Sequence, residues 1–361
     1  MNNKEFLKLK KFWQGKKIFL TGHSGFMGSW LIIFLDLLGA KVFGYSNNNY
    51  QGIYLYKIAN LKKIVKLSIN GDIRDYKKLK NSVIKSDAEI VIHFAAQPLV
   101  KKSYIYPTYT YDVNVMGTVN VLNILNETKK IKAALIVTTD KVYNNKNSIK
   151  YFKESDELFG NDPYSNSKAC ADSITSLYSI ALLKKKIVAI ARAGNVIGGG
   201  DNAADRIVPD YIRCLKKNKT LLLRYPKSIR PWQHVIEPLY GYLILLEKLF
   251  KKNYLPDDIS WNFGPKKSNN KSVRKIIDIL NNFFKNKVKV TLKKNKKKKE
   301  LYESKVLMLD SSKANNFLSW RGILSLKDTM KLIYSWTKEV YLKSNALDVC
   351  REQILNYLKK I

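Results

Sequence analysis

The stretch that decides the fold is KIFLTGHSGFMG, residues 17–28 of this 361-residue chain. Its apolar beginning is typical of a buried strand, and the glycine-rich turn after it opens a helix that is expected to run to Leu38 and stop at Gly39. Glycine allows a tight turn and a close approach of phosphate to the main chain, and a helix start offers free N–H groups. The stretch therefore predicts a dinucleotide site formed by Gly22, His23, Ser24, Gly25, Phe26, Met27 and Gly28.

Outward from this stretch, short apolar runs alternate with segments of helical length. Further strands are expected at Lys41–Tyr45, Ile64–Leu67, Glu89–His93, Ala134–Thr138 and Lys186–Ile190, and helices at Tyr111–Glu127 and Pro163–Leu183. Strands separated in this way pair in parallel through right-handed crossovers. The fold class predicted is α/β, a Rossmann-like doubly wound parallel sheet with a smaller C-terminal α/β substrate lobe.

The expected division of the chain follows from this pattern, which becomes irregular after the glycines at 198–200. Residues 1–190 are expected to form the NAD-binding Rossmann domain, with a return segment at about 231–265. The substrate lobe is expected to consist of residues 191–230 and 266–361, and its lysine-rich tract 293–299 to be a solvated loop.

The composition excludes several classes of protein. Apolar residues make up 45% and charged residues 26%, which is enough for a buried core and argues against disorder. The three cysteines and three histidines are scattered without the spacing of a disulfide framework or a metal site, so no metal is predicted. No export signal or apolar stretch of about 20 residues is found, which favours a cytoplasmic protein without a membrane segment.

The charge balance bears on partners. The chain carries 65 Lys+Arg against 29 Asp+Glu, a net charge of +36, which could suggest nucleic acid. Only nine of the basic residues are Arg, the preferred reader of phosphates and base edges, so nucleic acid is not expected as a partner. The excess charge instead favours an anionic ligand such as a nucleotide sugar, with a nucleotide-sensing or nucleic-acid-binding protein that lacks chemistry as the alternative.

Further cofactor contacts are expected where the next strands end. The second strand ends in Tyr45-Ser46-Asn47-Asn48, without a carboxylate for a ribose diol, so NAD and NADP stay open there; the absence of Arg disfavours a 2′-phosphate. Asp72 and Ile73 are expected at the adenine, and Ala95, Ala96 and Gln97 as a floor for the cofactor. For His23 an ordinary surface position stays open as the alternative.

The segment Tyr164–Lys168, YSNSK, predicts the chemistry. Its i, i+4 spacing puts a phenol and an ammonium group on one helix face, and a nearby cation favours the phenolate. A phenolate can take the proton of an alcohol while a hydride leaves the same carbon. Thr139 is expected to hydrogen-bond that hydroxyl. Asp140 and Lys141 add an acid and a base that simple dehydrogenation does not need, unless they are an ordinary loop ion pair.

These motifs, together with GDIRD, ARAGNVIGGGD, SIRPWQHV and WNFGP, resemble those of the extended short-chain dehydrogenase/reductase family from about Trp13 to Trp320. Within the family, the FWQGKK lead-in, RPWQHV and the Asp140-Lys141 pair resemble the 4,6-dehydratases that use CDP-glucose, since the dTDP-glucose relatives usually have Asp-Glu there. Met27 and Asn202 depart from the family, which commonly has Lys and Trp at these positions.

The resemblance implies a dehydration without net redox change. Tyr164, assisted by Lys168 and Thr139, takes the sugar 4-OH proton as retained NAD⁺ accepts the C4 hydride. Lys141 then removes the C5 proton, Asp140 protonates the departing 6-OH, and the hydride returns to C6. A nucleotide-sugar 4-epimerase and a dehydratase of another nucleotide sugar are the alternatives.

The resemblance also implies substrate contacts and an assembly. Asn195, Arg206 and Arg230, besides Thr139, match substrate-binding positions, the two arginines those of the nucleotide diphosphate. A homodimer is implied through the helices expected at Tyr111–Glu127 and Pro163–Leu183.

Overall fold

The computed structural model describes residues 4–47, 54–147, 149–251, 258–285, 287–292 and 302–361. The lysine-rich tract 293–299 lies outside these residues, so its loop conformation stays a prediction. Within the described ranges, every helix is too short or too polar to cross a membrane.

The elements are named in chain order. The helices are α1 (Lys4–Trp13), α2 (Phe26–Leu37), α3 (Tyr54–Ile58), α4 (Tyr76–Ser86), α5 (Val100–Ile105), α6 (Pro107–Tyr111), α7 (Gly117–Glu127), α8 (Pro163–Ala181), α9 (Ile207–Lys216), α10 (Ile236–Phe250), α11 (Val273–Phe283), α12 (Ser312–Leu318), α13 (Leu326–Tyr341) and α14 (Ala346–Leu358). The strands are β1 (Lys17–Thr21), β2 (Lys41–Ser46), β3 (Leu67–Asn70), β4 (Ile90–His93), β5 (Ala133–Val137), β6 (Ile187–Ala193), β7 (Val196–Ile197), β8 (Leu221–Leu223), β9 (Ile229–Pro231), β10 (Gln233–His234), β11 (Ser260–Phe263), β12 (Asn270–Ser272) and β13 (Val290–Leu292).

Seven strands form a parallel sheet in the order β11-β6-β5-β4-β1-β2-β3. The order reverses between β1 and β4, which pair directly, Thr21 opposite His93. At such a point the connections leave toward opposite sides and open a crevice at the carboxyl ends of the strands. The predicted doubly wound α/β fold is confirmed.

Both faces of the sheet are buried, as expected of parallel strands covered by helices. Successive side chains of β1 alternate, so Ile18 and Leu20 join one hydrophobic cluster and Phe19 joins the other. The first cluster holds the sheet against α2, α10 and α14, and the second against α4 and α7.

Two expectations about elements were wrong. The third strand is Leu67–Asn70 and not Ile64–Leu67, because Val65 turns inward to the core after a 3₁₀ turn at Leu61–Lys63. The helix expected over Tyr111–Glu127 is interrupted by a π-helical turn at Asp112–Met116.

Helix α8 begins as the sequence predicts. Asp162 caps it by accepting a hydrogen bond from the Ser165 amide at 2.9 Å, and Pro163 occupies the first turn. This cap fixes where Tyr164 and Lys168 lie relative to the end of β5.

After β6 the chain leaves the sheet and returns to it. Strands β8, β9 and β10 pair in small sheets with β13, β12 and β7, and α9, α11 and α13 bury a third hydrophobic cluster against them. Between these segments, α10 packs on β5 and β6, and β11 pairs with β6 as the last strand of the main sheet. The main sheet and the small sheets together border one cleft.

Candidate active site

A cleft of about 1220 Å³ lies at the carboxyl ends of the strands. A single drug-sized ligand usually occupies a pocket of roughly 300–1,000 Å³, so this cleft has room for two ligands side by side. Nineteen of the twenty predicted site residues line it, and His23 does not; the nineteen are Gly22, Ser24, Gly25, Phe26, Met27, Gly28, Asp72, Ile73, Ala95, Ala96, Gln97, Thr139, Asp140, Lys141, Tyr164, Lys168, Asn195, Arg206 and Arg230.

The glycine-rich turn is packed so closely that its glycines cannot be replaced without a shift. Gly22 has φ +70°, and a Cβ there would lie 2.7 Å from the Ala95 amide nitrogen. A Cβ on Gly28 would lie 2.3 Å from the Gly22 carbonyl oxygen. Bare backbone therefore faces the cleft where α2 begins, and this cradle fits the pyrophosphate of a dinucleotide.

The prediction that His23 faces the phosphates was wrong, and so was a surface position. The ring is buried, with one nitrogen 2.9 Å from the Ser46 hydroxyl and the other 2.8 Å from the Ser68 hydroxyl. It fills the hollow above Gly44, where a Cβ would come within 2.3 Å of it. Burial lowers the pKa of His23 to about 4, so the ring is neutral at pH 7.

His23 instead supports the turn from beneath. The Ser46 hydroxyl that meets its ring also accepts a hydrogen bond from the Ser24 amide at 3.2 Å, and the Tyr56 hydroxyl donates to Ser68 at 2.9 Å. These contacts connect the turn to β2 and β3 without a charged group. They hold the backbone of the turn in shape.

The segment after β3 forms one side of the cleft. The Asp72 carboxylate accepts hydrogen bonds from Nε and Nη2 of Arg74, at 3.0 and 2.8 Å, and these hydrogen bonds lower the pKa of Asp72. The Tyr45 hydroxyl donates to the Asp72 carbonyl at 2.9 Å, which ties the end of β2 to this segment. Asp72 and Ile73 border the cleft, and the Asp72 carboxylate is paired with Arg74; their contact with an adenine stays a prediction.

Tyr164 and Lys168 lie on the side of α8 that faces the end of β5. The Tyr164 side chain is hydrogen-bonded to that of Thr139, and the Lys168 ammonium donates to the Val137 carbonyl at 3.0 Å. Burial raises the pKa of Tyr164 to about 12, although Arg206 and the Thr139 hydrogen bond act to lower it. The YxxxK pattern predicts a lowered pKa for this phenol, but burial outweighs the effect of the nearby Arg206 charge.

The Lys168 ammonium group gives up its proton more readily than that of a surface lysine. Burial lowers the pKa of its ammonium to about 8, and the nearby Asp172 carboxylate opposes this shift. Asp172 is in turn held by the buried Arg192 guanidinium at 2.6 Å and by the Thr138 hydroxyl at 2.9 Å. Tyr164, Lys168 and Asp172 follow one another at intervals of four residues along α8, and this series ends at a carboxylate that is paired with Arg192.

Asp140 is a buried carboxyl group in the wall of the cleft. Its Oδ1 accepts from the Thr139 hydroxyl at 3.0 Å, while Oδ2 has no hydrogen-bond partner among the described residues. Burial raises the pKa of Asp140 to about 6, with Lys141 and the Thr139 hydrogen bond opposing the shift. A carboxyl group with such a pKa can hold a proton and release it near neutral pH.

Cationic side chains border the other end of the cleft. Arg206 pairs with Asp201 at 3.0 Å, and Arg230, only 3% exposed, donates to the Ile229 and Ser304 carbonyls at 2.8 and 2.6 Å and pairs with Glu303. The Asn195 carbonyl accepts a hydrogen bond from the Gln233 amide, which connects the turn between β6 and β7 to β10.

Comparison with known proteins identifies the family. The sequence family described as GDP-mannose 4,6 dehydratase matches residues 19–333, most of the chain. The chain belongs to this family. A CDP-glucose 4,6-dehydratase of Salmonella typhimurium is 40% identical over 357 residues, which cover 97% of this chain and 98% of that protein. The resemblance found in the sequence motifs is confirmed.

Solved structures share the fold of this GDP-mannose 4,6 dehydratase family member. A dTDP-glucose 4,6-dehydratase from Bacillus anthracis, solved in complex with NAD, has a TM-score of 0.75 at 21% identity and covers 92% of this chain and 100% of that chain. A UDP-glucose 4-epimerase from Thermotoga maritima, solved with UDP-glucose, has a TM-score of 0.76 at 19% identity, covering 90% and 99%. At these identities the likeness concerns the fold.

Sequence reasoning missed two residues that this family member brings to the site. Asn114, in the π-helical turn, accepts from the Gln97 amide at 2.8 Å and donates to the Ser167 hydroxyl at 2.9 Å, joining the cofactor floor to α8. Glu303 lies far along the chain and meets Lys141 and Arg230 in the cleft. Neither lies in a pattern with a fixed spacing to the other site residues, so no local signal marks them.

Proposed function

We propose that this protein converts CDP-glucose to CDP-4-keto-6-deoxyglucose, with NAD kept in the cleft through the reaction. The observation that carries the proposal is Asp140, a buried carboxyl group hydrogen-bonded to the Thr139 that also meets Tyr164, with one oxygen that lacks a partner in the part of the chain that the structure describes. An alcohol oxidation needs Tyr164 and its neighbours alone. The additional acid beside them is what an elimination of water requires.

NAD is the cofactor that fits the cradle. Bare backbone at Gly22 and Gly28 and the start of α2 would hold its pyrophosphate, and Ile73 and Gln97 would border its two ends. The end of β2, Tyr45–Asn47, offers no cationic side chain for a 2′-phosphate, which favours NAD over NADP. When bound, NAD supplies a hydride acceptor for C4 and a hydride donor for C6.

The oxidation step uses Tyr164, Thr139 and Lys168. Tyr164 takes the proton of the sugar 4-OH, and the Thr139 hydroxyl aligns that oxygen. The Lys168 ammonium stabilises the phenolate form that the proton transfer needs. Burial holds the pKa of Tyr164 at about 12 even with Arg206 nearby. Binding of NAD and of the substrate must therefore supply the remaining stabilisation of the phenolate.

The elimination step uses Lys141 and Asp140. The ketone at C4 acidifies the C5–H bond, so a base at Lys141 can remove that proton. The C5 electron pair forms the C5–C6 double bond, the C6–O bond breaks, and Asp140 gives its proton to the departing hydroxyl so that water leaves. Return of the hydride to C6 and of a proton to C5 gives the 4-keto-6-deoxy sugar.

The CDP-glucose 4,6-dehydratase of Salmonella typhimurium supports CDP-glucose as the substrate, because its 40% identity extends over nearly all of both chains. We assign residues 191–230 and 266–361 to a substrate lobe, since Arg206, Arg230 and Glu303 reach the cleft from them, with α12 and α14 of this range packed on the main sheet. An anionic diphosphate matches the cationic character of this end.

The decisive experiment is turnover of CDP-glucose with NAD⁺ in deuterated water. The expected product is a 6-deoxy-4-keto sugar nucleotide that carries one deuterium at C5, read by NMR and mass spectrometry. CDP-galactose without solvent label would mean a 4-epimerase and would overturn the proposal. Parallel reactions with dTDP-glucose, UDP-glucose and GDP-mannose test the choice of nucleotide.

We also propose a homodimer in the cytoplasm, where nucleotide sugars and NAD are supplied. Met116, Leu177 and Ile180 expose apolar side chains on or beside α7 and α8, with Ile180 74% exposed. Sedimentation analysis of the protein and of an Ile180→Asp variant tests this, the variant being expected to dissociate.

A further inference from the structure

Glu303 places one carboxylate between two cations of the cleft. Its Oε1 pairs with Nη2 of Arg230, and its Oε2 lies 3.9 Å from Nζ of Lys141. Both members of the Lys141–Glu303 pair are about one-fifth exposed, 20% and 22%. The pair is therefore removed from most of the solvent that weakens ion pairs on a protein surface.

The three side chains come from separate parts of the fold. Lys141 follows β5, Arg230 lies on β9, and Glu303 precedes the segment that pairs with β9 at the Ile229–Val306 bridge. The Ser304 carbonyl accepts from the same Arg230 guanidinium at 2.6 Å, so the backbone next to Glu303 is anchored. Glu303 is thereby fixed against Lys141 by contacts that do not involve Lys141.

We propose that Glu303 is a positioning residue for Lys141: it holds the Lys141 Nζ toward the sugar and stabilises the ammonium group formed when Lys141 takes the C5 proton. The inference rests on the proposed function and deepens it. In the step itself, the C5–H bond breaks, its proton binds the Lys141 amine, and the C5 electron pair forms the C5–C6 double bond. Glu303 exchanges no atom; its negative charge offsets the positive charge that appears on Lys141.

The surrounding charges are consistent with this role. The charged and titratable groups that face the pair are Asp140, Arg230, Arg224 and Tyr104. Burial acts to raise the pKa of Glu303, but the ion pairs with Lys141 and Arg230 outweigh it and lower this pKa. Glu303 is thus ionised at neutral pH and available as the partner of an ammonium group.

The test compares Glu303→Gln with the unchanged protein, using CDP-glucose and NAD⁺. Transient NADH absorbance reports C4 oxidation, and keto-sugar formation reports elimination. We expect C4 oxidation to stay within about threefold, while the limiting rate of elimination falls at least tenfold, less than the roughly hundredfold lower end of direct acid–base contributions because Glu303 acts through Lys141. Glu303→Asp, which keeps the charge, is expected to recover part of this loss.

The pH profile separates this role from a structural one. Because Glu303 faces the group that takes the C5 proton, its removal should change the dependence of the elimination rate on pH while leaving that of C4 oxidation unchanged. In a Lys141→Ala background, Glu303→Gln should cause no further loss of elimination. A loss of equal size in both backgrounds, or a loss confined to KM for CDP-glucose, would mean that Glu303 acts by holding Arg230 and not Lys141. Either result would overturn the inference.

The failure of this inference is distinct from failure of the proposed function. If the unchanged protein forms no keto sugar, the function is wrong. If it forms the deuterated product while Glu303→Gln keeps its elimination rate and pH profile, only the role of Glu303 is wrong. Thermal unfolding of each variant checks that the fold is kept.

Discussion

The two ends of the cleft are built in different ways. On the dinucleotide side, the turn at Gly22–Gly28 is supported by neutral groups, the ring of its own His23 with serine hydroxyls from β2 and β3. On the substrate side, Asp140, Lys141, Arg230 and Glu303 bring charges together from distant parts of the chain, and one carboxylate oxygen lacks a partner among the described residues. The dinucleotide side thus keeps the backbone of the turn in one conformation. The substrate side brings together charged side chains that can transfer a proton.

The largest effect is expected where the two sides meet. Tyr164→Phe removes the hydroxyl that takes the 4-OH proton, so the rate of C4 oxidation should fall about 1,000-fold. Single-turnover NADH absorbance measures this step, and CDP-glucose binding by calorimetry serves as the control because the ring stays in place. A rate within tenfold of the unchanged protein would contradict the role of this phenol.

The two sides should respond to pH in opposite directions. The pKa of His23 lies at about 4 in the fold against 6.5 in the unfolded chain, so its contribution is present above pH 6.5 and is lost as pH falls toward 4. At the low end this amounts to at most about 3 kcal/mol of the free energy of unfolding. His93 and His234, with pKa values lowered by burial to about 3, add losses in the same direction.

Asp140 works the other way. Its pKa is raised from 3.8 to about 6, so its contribution is full below pH 3.8 and is lost as pH rises through 6. Urea unfolding between pH 4 and 7 should show a flatter acid loss for His23→Gln and a steeper one for Asp140→Asn. Parallel curves for both variants and the unchanged protein would break the contrast between the two sides.

The shape of the dinucleotide side can be tested by a graded pair of alanines. A Cβ on Gly28 would lie 2.3 Å from the Gly22 carbonyl oxygen, but a Cβ on Gly25 would lie 3.3 Å from the same atom. Gly28→Ala should therefore weaken NAD binding roughly 30-fold, about 2 kcal/mol. Gly25→Ala is the matched control and should weaken it by less. Equal dissociation constants in NAD titrations would mean that the fit of the turn does not govern affinity.

The smallest effect is expected at an ion pair across the mouth of the cleft. Lys101 lies 3.8 Å from Asp205, with side chains 54% and 37% exposed. Such pairs contribute little, so Lys101→Ala should change the free energy of unfolding by less than about 0.5 kcal/mol. A larger change in the free energy of unfolding, measured by chemical denaturation, would mean that the exposed Lys101–Asp205 ion pair contributes substantially to holding the two sides of the cleft together.

The sequence predicted the parts of the site that depend on neighbours along the chain. The strand-turn-helix at 17–28 and the spacing of Tyr164 and Lys168 are local patterns, and the helix cap at Asp162 fixes where the second pattern begins. The positions of Arg206 and Arg230 came from the family resemblance and not from spacing.

The parts that failed depend on contacts between distant segments. The side chain of His23 turns inward because Gly44, on another strand, leaves a hollow for its ring. Glu303 reaches Lys141 because a segment after β13 bridges to β9. The raised pKa of Tyr164 reflects burial, whereas the YxxxK pattern alone suggests the opposite shift.

The return of the chain to β11 has a consequence for synthesis and engineering. During translation the main sheet stays one strand short until residue 263 has left the ribosome, and the edge of β6 stays open to other chains until then. A fragment that stops near residue 200 would keep that open edge permanently. Grafting a new specificity onto this scaffold therefore calls for two crossover points, one on each side of β11, and a single fusion point would cut the sheet.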